Sequence, residues 1–197
     1  MRRADFYSAL RIALAPLFFI VYFIPVWTGS WASLTVYVLL PLFVFMEFTD
    51  YLDGYYARKL NQVSDFGKLF DPFADVLANM TVMLVFVVSG YMPAILFVIV
   101  IYREMGITFI RMMASRKGVA IGARKGGKLK TVLYIIAAGF SLVIESALRL
   151  SFDIGQSLSS LLLVNRILYG LAVLVAILSF IDYLHAFASI LKNPAKT

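Results

Sequence analysis

Apolar residues run along this chain in blocks of about twenty, separated by short polar stretches, instead of recurring every third or fourth position as on a water-facing amphipathic helix. Blocks of that length match what a helix needs to cross the hydrocarbon core of a bilayer. They predict an all-α integral membrane protein with six transmembrane helices, near residues 9–28, 33–57, 71–90, 92–114, 128–148 and 161–188. The first block, 12–27, has no small-residue cleavage site and is followed by further spans, so it reads as a retained helix and not as a signal peptide. No low-complexity stretch, internal repeat or long linker interrupts the pattern, so one membrane domain over residues 1–197 is expected.

An even number of spans puts both termini on one side, and the basic residues choose that side. Arg2, Arg3 and Arg11 lead in, Arg58, Lys59 and Lys68 follow the second span, residues 111–130 follow the fourth, and Lys192 and Lys196 close the chain. The positive-inside rule makes these segments cytoplasmic, with Trp27, Trp31 and Tyr91 as aromatic anchors at the outer interface. Composition agrees: 62% hydrophobic and 15% charged in 197 residues is more apolar side chain than a small water-soluble core can hide. The formal charge of +7 sits on the cytoplasmic ends, where topology and anionic headgroups call for it, so nucleic acid is not an expected partner. The chain has no cysteine, which excludes disulfides, thiolate metal sites and cysteine nucleophiles.

Against this apolar background stand Asp50 and Asp53, three apart, and Asp71 and Asp75, four apart. On helices, each pair projects from one face, and the short polar connection containing Asn61, Ser64 and Gly67 brings the two helix ends together. Four convergent carboxylates repel one another, and their desolvation calls for compensating positive charge. An all-oxygen donor set favours a hard cation, Mg²⁺ or Mn²⁺, and such ions bridge carboxylates to substrate phosphates. Gly54, Ala57 and Gly67 leave room where larger side chains would block a ligand, and Arg58 can hold an anion in its planar fork.

Asp50, Asp53, Gly54, Ala57, Arg58, Gly67, Asp71 and Asp75 together match every fixed position of the CDP-alcohol phosphotransferase signature, and the chain resembles that family over most of its length. The resemblance implies six membrane helices with the signature on the second and third, a homodimer, and an active site at the cytoplasmic face of a bacterial-type membrane. It also implies a two-ion metal centre held by Asp50, Asp53, Asp71 and Asp75, with Asp75 as general base. Arg58 would contact the diphosphate of a cytidine diphosphate donor, with Asp53, Gly54, Ala57 and Gly67 around the nucleotide. The donor's acyl chains would stay in the bilayer, and the expected reaction is direct transfer of a phosphatidyl group from CDP-diacylglycerol to a small alcohol, releasing CMP.

A second informative stretch holds Arg103-Glu104, then Arg111 eight residues on and close to the same helical face, then Gly127-Lys128-Leu129-Lys130-Thr131. Positive-inside topology accounts for Arg116, Lys117, Arg124 and Lys125, but poorly for Arg103 inside an apolar segment, where pairing with Glu104 or the acids is the other explanation. The order of these residues resembles the phosphatidylglycerophosphate-forming branch of the family, whose acceptor is glycerol 3-phosphate. That resemblance places the acceptor phosphate among Arg103, Arg111, Lys128 and Lys130. Residues 7–11 match the Asn-x-x-Thr-x-x-Arg opening of that branch only in part. Another acceptor, such as inositol phosphate or serine, would use the same chemistry. An intramembrane prenyltransferase would separate its acid motifs widely, and a cation transporter would set its acids near the midplane and leave Arg58 and Gly67 unexplained. His185 reads as an interfacial or packing residue, and Glu145, Arg149 and Asp153 fall on the opposite side from the acids.

Overall fold

A computed structural model describes the backbone of residues 3–59, 65–116 and 125–192, and the side chains of residues 6–49, 70–114 and 126–188. Among the described residues the chain forms helices and no strand: α1 Arg3–Thr28, α2 Ala32–Lys59, α3 Asp65–Val88, α4 Ala94–Arg116, α5 Lys125–Arg149 and α6 Gly155–Lys192. Five stretches, Phe6–Thr28, Ala32–Thr49, Phe70–Val88, Gly126–Arg149 and Gly155–Ala188, are long and apolar enough to cross a bilayer. The protein is an integral membrane helical bundle.

Helix α4 differs because Arg103, Glu104 and Arg111 lie within its 23 residues. Its exposed face is apolar, carried by Ile95, Val98, Tyr102, Met105, Phe109 and Met112 at alternating spacings of three and four, whereas Arg103 and Glu104 are only 5% and 6% exposed. The helix is thus apolar outside and charged inside, the arrangement of a helix that faces lipid on one side and a polar cavity on the other. Helix α6 starts at Gly155, ahead of the span expected over 161–188, because the polar residues of its first turns do not break the helix.

Helix α1 packs on α2 and α3, α5 on α6, and α4 on α6 and α3, while α2 and α3 also touch α5. The centre is aromatic, with Phe18, Tyr22, Phe86 and Tyr169 buried. Tight reversals join successive helices at the end remote from the acids. Gly29 and Gly90 adopt φ of +68° and +80° there, the left-handed region that suits glycine, and Trp31 and Ser151 enter the same region.

That remote end is held by Arg149, in the last turn of α5. Its Nε donates to Glu145 Oε1 at 2.7 Å, Nη1 to Thr35 Oγ1 at 2.9 Å and Nη2 to the Tyr22 carbonyl at 2.9 Å, while the guanidinium carbon lies 4.4 Å from the Tyr22 ring centre. Tyr91 donates its hydroxyl to Glu145 Oε2 at 2.7 Å. Trp27 and Trp31 are exposed, as interface anchors should be, but Tyr91 is buried. Its role is to satisfy the second oxygen of Glu145, and burial together with that bond holds the phenol above its ordinary pKa range.

Candidate active site

Near the start of α3, Asp71 and Asp75 lie one turn apart, and α1 supplies a partner to each. Ser8 donates its hydroxyl to Asp71 Oδ1 at 2.9 Å, and the buried Arg11 pairs with Asp75. Ser8 and Arg11 are themselves three apart on one helix, so α1 presents them as a matched set. Asp75 keeps 41% of its side chain exposed and lines a cavity of about 280 Å³. One turn further on, Asn79 donates to the backbone carbonyl of Asp75 at 2.9 Å.

Asp50, Asp53, Gly54, Ala57 and Arg58 lie on the C-terminal part of α2 and Gly67 near the start of α3, but their side chains are outside the described residues. No group of three acidic or histidine side chains able to share a metal occurs among the described residues. Of the four carboxylates expected to hold a metal, Asp71 and Asp75 are described, on successive turns of α3, and their oxygen chemistry would fit a hard divalent cation.

The cavity gathers Arg103, Arg111, Lys128 and Lys130 beside Asp75, so residues far apart in the chain share one wall. Arg103 is fully engaged: Nη1 donates to Glu104 Oε2 at 2.8 Å, Nη2 to Ser179 Oγ at 3.1 Å and Nε to the Ala176 carbonyl at 3.4 Å. Lys130 Nζ donates to the other oxygen of Glu104 at 2.5 Å. Glu104 is therefore the hub that keeps two buried cations in place. Close approach of α6 makes this possible, since a Cβ on Gly106 would come within 2.9 Å of Phe180 Cζ and one on Gly126 within 3.2 Å of Ser179 Cβ.

Arg111 donates from Nη2 to the Tyr183 hydroxyl at 2.7 Å, with its guanidinium carbon 5.5 Å from the Tyr183 ring centre. Lys128 is exposed at the cavity. Among the described lining residues, Arg11, Arg103, Arg111, Lys128 and Lys130 outnumber Glu47, Asp75 and Glu104, leaving the cavity electropositive and suited to an anion. Spacing alone did not single out Ser8, Ser179, Tyr183 or Tyr134, which packing between helices brings to this site. For Arg11 and Glu104 the available signal was an ionisable residue in or beside an apolar block.

Residues 1–179 match the profile of the family described as CDP-alcohol phosphatidyltransferase. The chain is 42% identical over 199 residues to the CDP-diacylglycerol–glycerol-3-phosphate 3-phosphatidyltransferase of Treponema pallidum (strain Nichols), covering 98% of this chain and 92% of the relative. It is 37% identical over 142 residues to the protein of the same name from Bacillus subtilis (strain 168), covering 68% and 72% of the two chains. A probable phosphatidylglycerophosphate synthase of Mycobacterium tuberculosis (strain ATCC 25618 / H37Rv) is 32% identical over 136 residues, covering 69% and 63%.

Proposed function

Because the chain belongs to the CDP-alcohol phosphatidyltransferase family, we propose that it transfers a phosphatidyl group from CDP-diacylglycerol to glycerol 3-phosphate, releasing CMP and phosphatidylglycerophosphate. The observation that carries this reading is the shared cavity, in which a carboxylate exposed on α3 faces cations from α4 and α5. Positive charge there matches a phosphorylated acceptor, and Asp75 matches the hydroxyl that must lose a proton.

Asp50, Asp53, Asp71 and Asp75 would hold Mg²⁺ or Mn²⁺, two ions in this reading, and the bound metal supplies charge that offsets the diphosphate and eases departure of CMP. Arg58 grips the donor diphosphate, and Asp53, Gly54, Ala57 and Gly67 border the nucleotide. Arg111 and Lys128 bind the acceptor phosphate directly, while Arg103 and Lys130, held by Glu104, add to the field around it. Asp75 takes the proton from the acceptor hydroxyl as its oxygen attacks the phosphorus that carries diacylglycerol. The bond from that phosphorus to the CMP phosphate oxygen breaks, and no phosphoenzyme forms. The protein works as a homodimer of single-domain chains, with both termini and the active site on the cytoplasmic side.

The test supplies purified protein with labelled CDP-diacylglycerol and, separately, glycerol 3-phosphate, myo-inositol phosphate, serine and choline. Glycerol 3-phosphate should give CMP and phosphatidylglycerophosphate, acceptors without phosphate should be poor, and chelation should stop turnover until Mg²⁺ or Mn²⁺ is returned. Equal use of serine or choline would sink the acceptor assignment, and full activity in metal-free buffer would sink the role of the acids.

A further inference from the structure

Tyr134 lines the cavity from α5, is only 2% exposed, and carries a hydroxyl with no hydrogen-bond partner among the described residues. A buried hydroxyl without a partner destabilises the fold unless something else meets it. The ring has an evident use, because Lys130 Nζ lies 5.2 Å from its centre in a cation–π contact. Phenylalanine would serve that contact equally well, so the ring does not account for the oxygen. Glu104, the nearby acid, already accepts from Arg103 and Lys130.

We propose that the Tyr134 hydroxyl is a specificity contact that hydrogen-bonds the middle hydroxyl of the acceptor, the one to which no phosphatidyl group is transferred. The inference rests on reading the cavity as the acceptor site. Arg111 and Lys128 meet the charged phosphate at one end of glycerol 3-phosphate, and Asp75 meets the reacting hydroxyl at the other. The oxygen between them is neutral and both donates and accepts, as does a phenol. A site built around a substrate hydroxyl rejects the analogue that lacks it, because the protein group is then left buried and unpaired.

The experiment compares the full-length wild type and Tyr134→Phe on glycerol 3-phosphate and on 3-hydroxypropyl phosphate, which keeps the phosphate and terminal hydroxyl but has no middle one. Wild type should show a kcat/KM about five- to tenfold lower on the analogue, the scale of one neutral hydrogen bond. Tyr134→Phe should lose about the same factor on glycerol 3-phosphate and almost nothing on the analogue. Its melting temperature without substrate should equal or exceed that of wild type, since the substitution removes an unmet buried group. Equal losses on both acceptors, an unchanged glycerol 3-phosphate value or a lowered melting temperature would each overturn the inference. The two wild-type rates stand whatever the variant does, and indifference to the middle hydroxyl would overturn it as well. A wild type inactive on glycerol 3-phosphate would instead remove the reading on which the inference rests.

Discussion

Among the described residues no carboxylate ties down Arg111 or Lys128 at the cavity, so their loss should be felt by the acceptor and hardly by the donor. Replacing either by Ala should raise the KM for glycerol 3-phosphate by about ten- to a hundredfold, corresponding to about 1.5–3 kcal/mol for a charge-assisted contact, while the KM for CDP-diacylglycerol changes much less. Steady-state kinetics with each substrate varied in turn would check this, and unchanged acceptor kinetics in both variants would exclude the assignment. Asp75→Asn should behave differently: turnover should fall by at least about a hundredfold, with donor binding better preserved. Near-normal turnover would take Asp75 out of proton transfer. Asp71 and Asp75 could be picked out from spacing because a helical period is local. Ser8 and Arg11 could not, since Ser8 meets Asp71 across 63 residues only after α1 has packed on α3.

On the scale of a helix, α4 shows what buried charge asks of its surroundings. Glu104 satisfies Arg103 and Lys130 at once, so removing it leaves two cations in a low-dielectric wall. Glu104→Ala should cost about 3–5 kcal/mol of stability, read as a large drop in melting temperature in detergent, whereas Glu104→Gln, which keeps the shape and one acceptor oxygen, should lose less. Equal melting temperatures for wild type and Glu104→Ala would deny Glu104 its role as hub. All six helices could be located from apolar blocks because length and hydropathy are local quantities. The internal pairing of α4 was only an alternative at that level, because Ser179 and the Ala176 carbonyl come from α6, more than 70 residues away in the chain. The early start of α6 was hidden because hydropathy registers lipid contact, not helical geometry.

For the molecule as a whole, the alternation of basic and charge-poor connections makes a topological prediction. Because the natural chain has no cysteine, single cysteines at Ser64 and Ser115 should react with an impermeant reagent only from the cytoplasmic side, and one at Ser30 only from outside. The reverse pattern would move the active site to the wrong face for a cytoplasmic supply of CDP-linked donor. The general architecture was legible because a bilayer restricts the options to helices that satisfy their own backbones. The clasp at the remote end was not, because Arg149 there read simply as a residue on the opposite side from the acids. Arg149 joins Thr35 across 114 residues and the Tyr22 carbonyl across 127. At about 5–20 residues per second of synthesis, it emerges from the ribosome roughly 6–23 s after Thr35, by which time α1, α2 and α3 have been made. The clasp therefore closes only after the first helices are made and before α6 is, and a nascent chain stopped before residue 149 would carry those helices unlocked, a half-built state that a membrane protease could tell from the finished enzyme.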